Sequence, residues 1–180
     1  MLSLCLLLAA APSLPTGVFS SRDPELVATG AGGRRTLTLE QGRFVWESAV
    51  GTADLSTIWV EARLEGTITV TGDSKTVPGA KEITLRFTKK SIRRRTADFA
   101  VIQRLDLSRC GLEQDRWVDV THVGCSWIFP IEAHAQDYDL LALEGELLRL
   151  GARPADGMLE TTARRPKVLG LPLVRVKKKS

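Results

Sequence analysis

The chain has 180 residues, 43% hydrophobic and 26% charged, which is the make-up of one globular domain rather than of a disordered chain. Lys and Arg number 25 against 21 Asp and Glu, a net charge of +4, too mild an excess to predict a nucleic-acid partner. No apolar run reaches the roughly 20 residues of a membrane-spanning helix, and the absence of asparagine leaves no N-glycosylation sequon.

At the N-terminus, Leu2, Leu4, Leu6, Leu7 and Leu8 are followed by Ala9, Ala10 and Ala11. An apolar centre running into small residues predicts a secretory signal peptide within residues 1–20, and so a secreted or periplasmic protein. Residues 21–34 read as a flexible N-terminal segment, 35–175 as a single β domain and 176–180 as a basic tail. Losing the leader removes Cys5 and leaves Cys110 and Cys125, an even pair that an oxidising compartment would join. The competing reading is a catalytic thiol with His122 or His134 as its base, for which no supporting motif is present.

The body of the chain alternates with period two. Arg35–Gln41 puts Leu37 and Leu39 on one face, and Arg43–Val50 gathers Phe44, Trp46, Ser48 and Val50. Thr57–Leu64 aligns Ile58, Val60, Ala62 and Leu64 opposite Trp59, Glu61 and Arg63. Beyond Gly66, which predicts a tight bend or a bulge, Thr67–Thr71 continues with Ile68 and Val70 inward. A turn through Asp73 and Pro78-Gly79 leads to Lys81–Lys89, where Ile83, Leu85 and Phe87 share a face. Asp98–Leu107 reads as a further strand and Trp117–Thr121 as a short one. Tyr138–Leu143 and Glu146–Leu150 suit a hairpin around Gly145, although their composition also permits helix. Pro154, Pro166 and Pro172 favour an extended strap after Gly151. Some eight or nine short strands predict an all-β fold, an antiparallel β-barrel or half-barrel closed by a Pro-rich C-terminal strap.

Chemistry is sparsely marked. There is no Gly-rich phosphate loop, no Gly-x-Ser-x-Gly and no Cys-x-x-Cys, so no cofactor is expected. Phe44 and Trp46 on one strand, with Leu85 and Phe87 on another, are predicted to line a barrel interior that binds a lipid or other apolar ligand; the competing reading is that they fill a closed core. Trp59, among polar neighbours, suits a pocket rim or strand edge. Glu132, His134, Asp137 and Asp139 are the one cluster of ligand-type residues, and they carry the alternative of an envelope hydrolase or metal-dependent enzyme. Basic residues gather at Arg86, Lys89, Lys90, Arg93, Arg94 and Arg95, and again at Lys177–Lys179. Arg93, Arg94 and Arg95 could meet an anionic membrane surface or simply form a solvated strand edge.

Three stretches also carry a family likeness. Gly66, Ile68 and Val70 lead through Ser74 to Val77-Pro78-Gly79-Ala80-Lys81-Glu82. Cys110-Gly111 runs through Trp117 to Gly124-Cys125. Leu150-Gly151, Arg153-Pro154 and Asp156-Gly157 precede Arg164-Arg165-Pro166 and Pro172-Leu173. In this order, over residues 40–175, they resemble the adenomatosis polyposis coli down-regulated family. Animal members are Wnt-pathway antagonists at the cell surface, with a β-barrel-like, lipid-binding ectodomain that is often in tandem. This chain differs in having one unit, one mature cysteine pair and no membrane anchor, so the resemblance implies the lipid-binding fold rather than Wnt antagonism.

Overall fold

Period-two alternation becomes strand pairing along most of the chain, as seen in a computed structural model that describes residues 14–27 and 30–177. The described residues form β1 (Gly17–Ser20), β2 (Glu25–Leu26), β3 (Gly32–Glu40), β4 (Arg43–Gly51), β5 (Ile58–Asp73), β6 (Lys81–Arg94), β7 (Trp117–Asp119), β8 (Gln136–Glu144), β9 (Leu147–Leu150) and β10 (Leu173–Arg175). Adjacent strands run β1-β10-β9-β8-β6-β5-β4-β3, and β1 pairs back onto β3. The result is a closed, antiparallel, eight-stranded barrel, with β2 added beside β3 and β7 beside the far end of β6. Closure removes the exposed edges that would otherwise invite pairing with another chain.

The inward faces form two cores. Phe19, Leu37, Leu39, Phe44, Ile68, Ile83, Leu85, Phe87, Leu141, Leu148, Leu150 and Leu173 pack together inside the barrel. Each such side chain contributes about 1.5–3 kcal/mol by leaving water. Val60, Ala62, Ile92, Leu107, Val120, Cys125 and Ile128 form a second core, where the far halves of β5 and β6 meet residues 95–135. That insertion is cross-linked by Cys110–Cys125, with an S–S distance of 2.01 Å and a Cα–Cα distance of 5.4 Å, as the sequence predicts.

A bulge decides which β6 side chains face inward. Glu65 pairs with Lys89 but Gly66 pairs with Phe87, so Thr88 is an extra residue on β6. One inserted residue reverses inside and outside. Before it, Ile83, Leu85 and Phe87 face the barrel; after it, Lys90 and Ile92 do, while Lys89 is exposed. Gly66 accommodates the distortion, because a Cβ there would collide with the Arg86 carbonyl oxygen and meet the Phe44 ring at 2.9 Å. The single long β5 therefore passes Gly66 without a tight bend.

Four boundaries differ from expectation. The segment 21–34 contains β2 and the start of β3, and β1 lies within the span read as leader, so the β domain begins well before Arg35. Phe19 is fully buried in the barrel core, which ties β1 to the fold. Asp98–Leu107 holds a short helix, α1 (Phe99–Arg104), in place of a strand. Its N-cap Asp98 accepts hydrogen bonds from the Ala100 and Val101 amides, an arrangement that favours helix over extended chain. The C-terminal strap is largely irregular, with a 3-10 turn at Thr162–Arg164, and it ends in β10, a stave of the barrel. The predicted leader core and the last three residues of the basic tail lie outside the described residues.

Candidate functional site

The four residues predicted to line a ligand site lie around one cavity of about 340 Å³. Phe44 and Trp46 come from β4, Leu85 and Phe87 from β6, and Leu64 from β5 adds to the same wall. Phe44 and Phe87 meet edge to face, 5.8 Å between centroids, a favourable aromatic geometry. The opposite side is built by two loops. The disulfide-linked insertion supplies Trp127, Ile128 and Phe129, and the strap supplies Arg153 and residues 155–158. Trp127 and Phe129 remain 42% and 41% exposed. Trp127 sits in a tight turn, where Cys125 and Ile128 exchange two backbone hydrogen bonds, so the disulfide anchors the loop that carries both aromatic side chains.

Charged groups stand among these apolar walls. Arg35 and Arg153 each place a guanidinium 5.9 Å from the Trp46 ring centroid, a cation–π arrangement. Arg35 also pairs with Glu25 at 2.8 Å. Arg153 donates from Nη2 to Asp137 Oδ2 at 2.6 Å and from Nη1 to the Gly157 carbonyl at 2.8 Å. The other Asp137 oxygen lies 2.6 Å from His134 Nε2. Burial alone would raise the pKa of Asp137, but the bonds from His134 and Arg153 prevail and hold it below the ordinary carboxylate value.

Lys90 is the unexpected member. It is 1% exposed and lines the cavity. Its Nζ donates to the carbonyls of His134 at 2.6 Å and Phe129 at 2.9 Å and stands 4.8 Å from the Phe87 ring centroid. Burial lowers its pKa, opposed by the longer-range attraction of Asp137 and Glu132. In the sequence Lys90 is one of a basic run, yet the change of inward parity from Phe87 to Ile92 was a legible sign that an extra residue intervenes. Arg35, Arg153, Trp127 and Phe129 carried no such sign, because loops and distant strands bring them together.

The acidic segment does not converge. Glu132 pairs with His122 on the surface, and His134 pairs with Asp137. Asp139 Oδ1 accepts from the Leu140 and Gly151 amides at 2.7 and 2.9 Å. Among the described residues, no three His, Cys, Asp or Glu side chains are grouped to hold a metal ion.

Arg93, Arg94 and Arg95 are engaged within the chain. Arg93 pairs with Glu61 and stacks on Trp117, Arg94 donates to the Leu112 and Thr96 carbonyls, and Arg95 pairs with Asp115 and Glu61. Trp59 lies beneath Arg104 at 4.7 Å and is not part of the cavity wall. The chain matches no protein-family model and no curated protein.

Proposed function

We propose that the protein is an exported binding module whose capped barrel holds a lipid or other apolar ligand between the barrel wall and the disulfide-linked loop. One observation carries this reading: Phe44, Trp46, Leu85 and Phe87, two strands apart in the sheet, surround a single cavity. Eight-stranded barrels either fill their interior with side chains or enclose one small ligand, and about 340 Å³ lies within the usual range of ligand sites. The Cys110–Cys125 bond supports an oxidising compartment, secreted or periplasmic, where such cross-links persist. The resemblance to a family with a lipid-binding, barrel-like ectodomain points the same way. A cleavage compatible with this barrel falls before Gly17, because β1 completes the wall.

The test has two parts. Lipids extracted from natively purified protein are identified by mass spectrometry, and acyl probes of increasing chain length are titrated while tryptophan emission is followed. Trp46 and Trp127 border the cavity, so saturable quenching is expected. Each added methylene should strengthen binding by about 0.8 kcal/mol until the space is full. The absence of saturable binding at every chain length refutes the proposal.

A further inference from the structure

We infer that the cavity selects a single-chain amphiphile with an anionic head, a carboxylate or phosphate monoester, and that Lys90 and Arg153 are the cations that recognise it. The inference rests on the binding reading above and specifies its ligand. Its basis is a missing counter-charge. The cations lining the cavity are Arg35, Lys90 and Arg153, with His134 beside them. Arg35 has Glu25, and Arg153 has Asp137. Asp137 is already shared with His134, and Asp156 of the cavity wall is held by Arg164. Lys90 alone has no carboxylate within ion-pair distance among the described residues; its Nζ is bonded to two main-chain carbonyls.

A buried ammonium without a counter-ion is costly, and an anion bound beside it relieves that cost. Both cations have donors to offer. A lysine ammonium carries three N–H groups and a guanidinium five, whereas Lys90 and Arg153 each use two within the chain. Arg153 retains 35% side-chain exposure and borders the cavity, so it can reach a head group directly. Lys90 lies deeper and adds the uncompensated charge behind it. The Phe44–Phe87 pair and Leu85 provide the surface for the chain. A neutral or cationic head would leave Lys90 as it is, or worsen its position.

The experiment compares amphiphiles of one chain length by calorimetric titration: a fatty acid, an alkyl phosphate, a fatty alcohol and an alkyl trimethylammonium, with inorganic phosphate as a free-anion control. The wild type is expected to bind both anionic amphiphiles between about tenfold and about a hundredfold more tightly than the alcohol, as for a charge-assisted hydrogen bond, and to bind inorganic phosphate far more weakly. Lys90→Met keeps the apolar stem and removes the charge. It should lose most of the preference for the acid over the alcohol, read as the ratio of the two affinities in the same variant, with an unchanged circular dichroism spectrum.

Equal binding of acid, alcohol and trimethylammonium by the wild type overturns the inference while leaving the apolar cavity standing. Binding of none of them removes the underlying reading. Phosphate binding as tight as that of the alkyl phosphate shows an ion site rather than an amphiphile site and also overturns it. Full selectivity retained in a folded Lys90→Met protein overturns the assignment to Lys90. If Lys90→Met does not fold, the wild-type head-group series decides by itself.

Discussion

Asp139 allows the electrostatics of the barrel to be tested without a ligand. It is fully buried, and Oδ1 accepts two backbone amides, but Oδ2 has no hydrogen-bond partner. Burial raises its pKa from 3.8 to about 6, against the attraction of Arg153. The native state therefore holds a proton between about pH 4 and 6 that the unfolded chain has released. Stability falls as pH rises through this window and stays lower above it. A raise of this size corresponds to about 3 kcal/mol, at roughly 1.4 kcal/mol per pKa unit.

Asp139→Asn keeps the Oδ1 acceptor for Leu140 and Gly151 and cannot ionise. Urea denaturation from pH 3.5 to 7.5 should show the variant and wild type nearly equal in stability at the acid end. The variant should be more stable by about 3 kcal/mol at the neutral end. In thermal melts near neutrality that is an increase of about 6–12 °C for a domain of this size. Asp137 has a lowered pKa and so the opposite pH dependence, but it is present in both proteins and enters the difference through its repulsion of the Asp139 carboxylate, which is already part of the raise. A variant less stable than wild type at pH 7, or a difference that does not grow with pH, refutes the reasoning.

Further perturbations test separate parts of the structure. Thiol labelling of denatured, unreduced protein should leave Cys110 and Cys125 unmodified, and breaking Cys110–Cys125 by reduction should cost about 3 kcal/mol of stability. The loop bearing Trp127 and Phe129 should then lose acyl-probe affinity before the barrel melts. Leu85→Trp places a larger side chain on the cavity wall; it should fold with a near-native melting temperature and bind the probe more weakly, whereas a closed core would resist it by about 1–3 kcal/mol. Gly66→Ala drives a Cβ toward the Arg86 carbonyl and the Phe44 ring and should cost about 2 kcal/mol or more, measured by denaturant unfolding; a neutral effect would show that the bulge opposite it is not close-packed.

Local alternation was enough to determine the β class and the inward pairs Leu37/Leu39 and Leu85/Phe87, and counting was enough for the cysteine pair, whereas the stretch around Gly145, open between hairpin and helix, became β8–β9 only in the fold. The class, the inward pairs and the cysteine pair depend on neighbours in sequence or on simple counting, and a strand's two faces are written in every second residue. The short helix at Phe99–Arg104 escaped because Val101, Leu105 and Leu107 also satisfy an alternating pattern, and the capping role of Asp98 tips the choice. Closure lay beyond any local pattern: β1 joins β10 across more than 150 residues, and such pairing leaves no periodicity to read. The same holds for the charged part of the site. Lys90 turns inward only because Thr88 is inserted opposite Gly66, and it shares the cavity with Arg153 only because the chain after β9 returns over it. The sequence alone therefore determined which apolar side chains face inward, while the tertiary structure decided which charges stand against them, since a bulge and a long-range crossing set their positions.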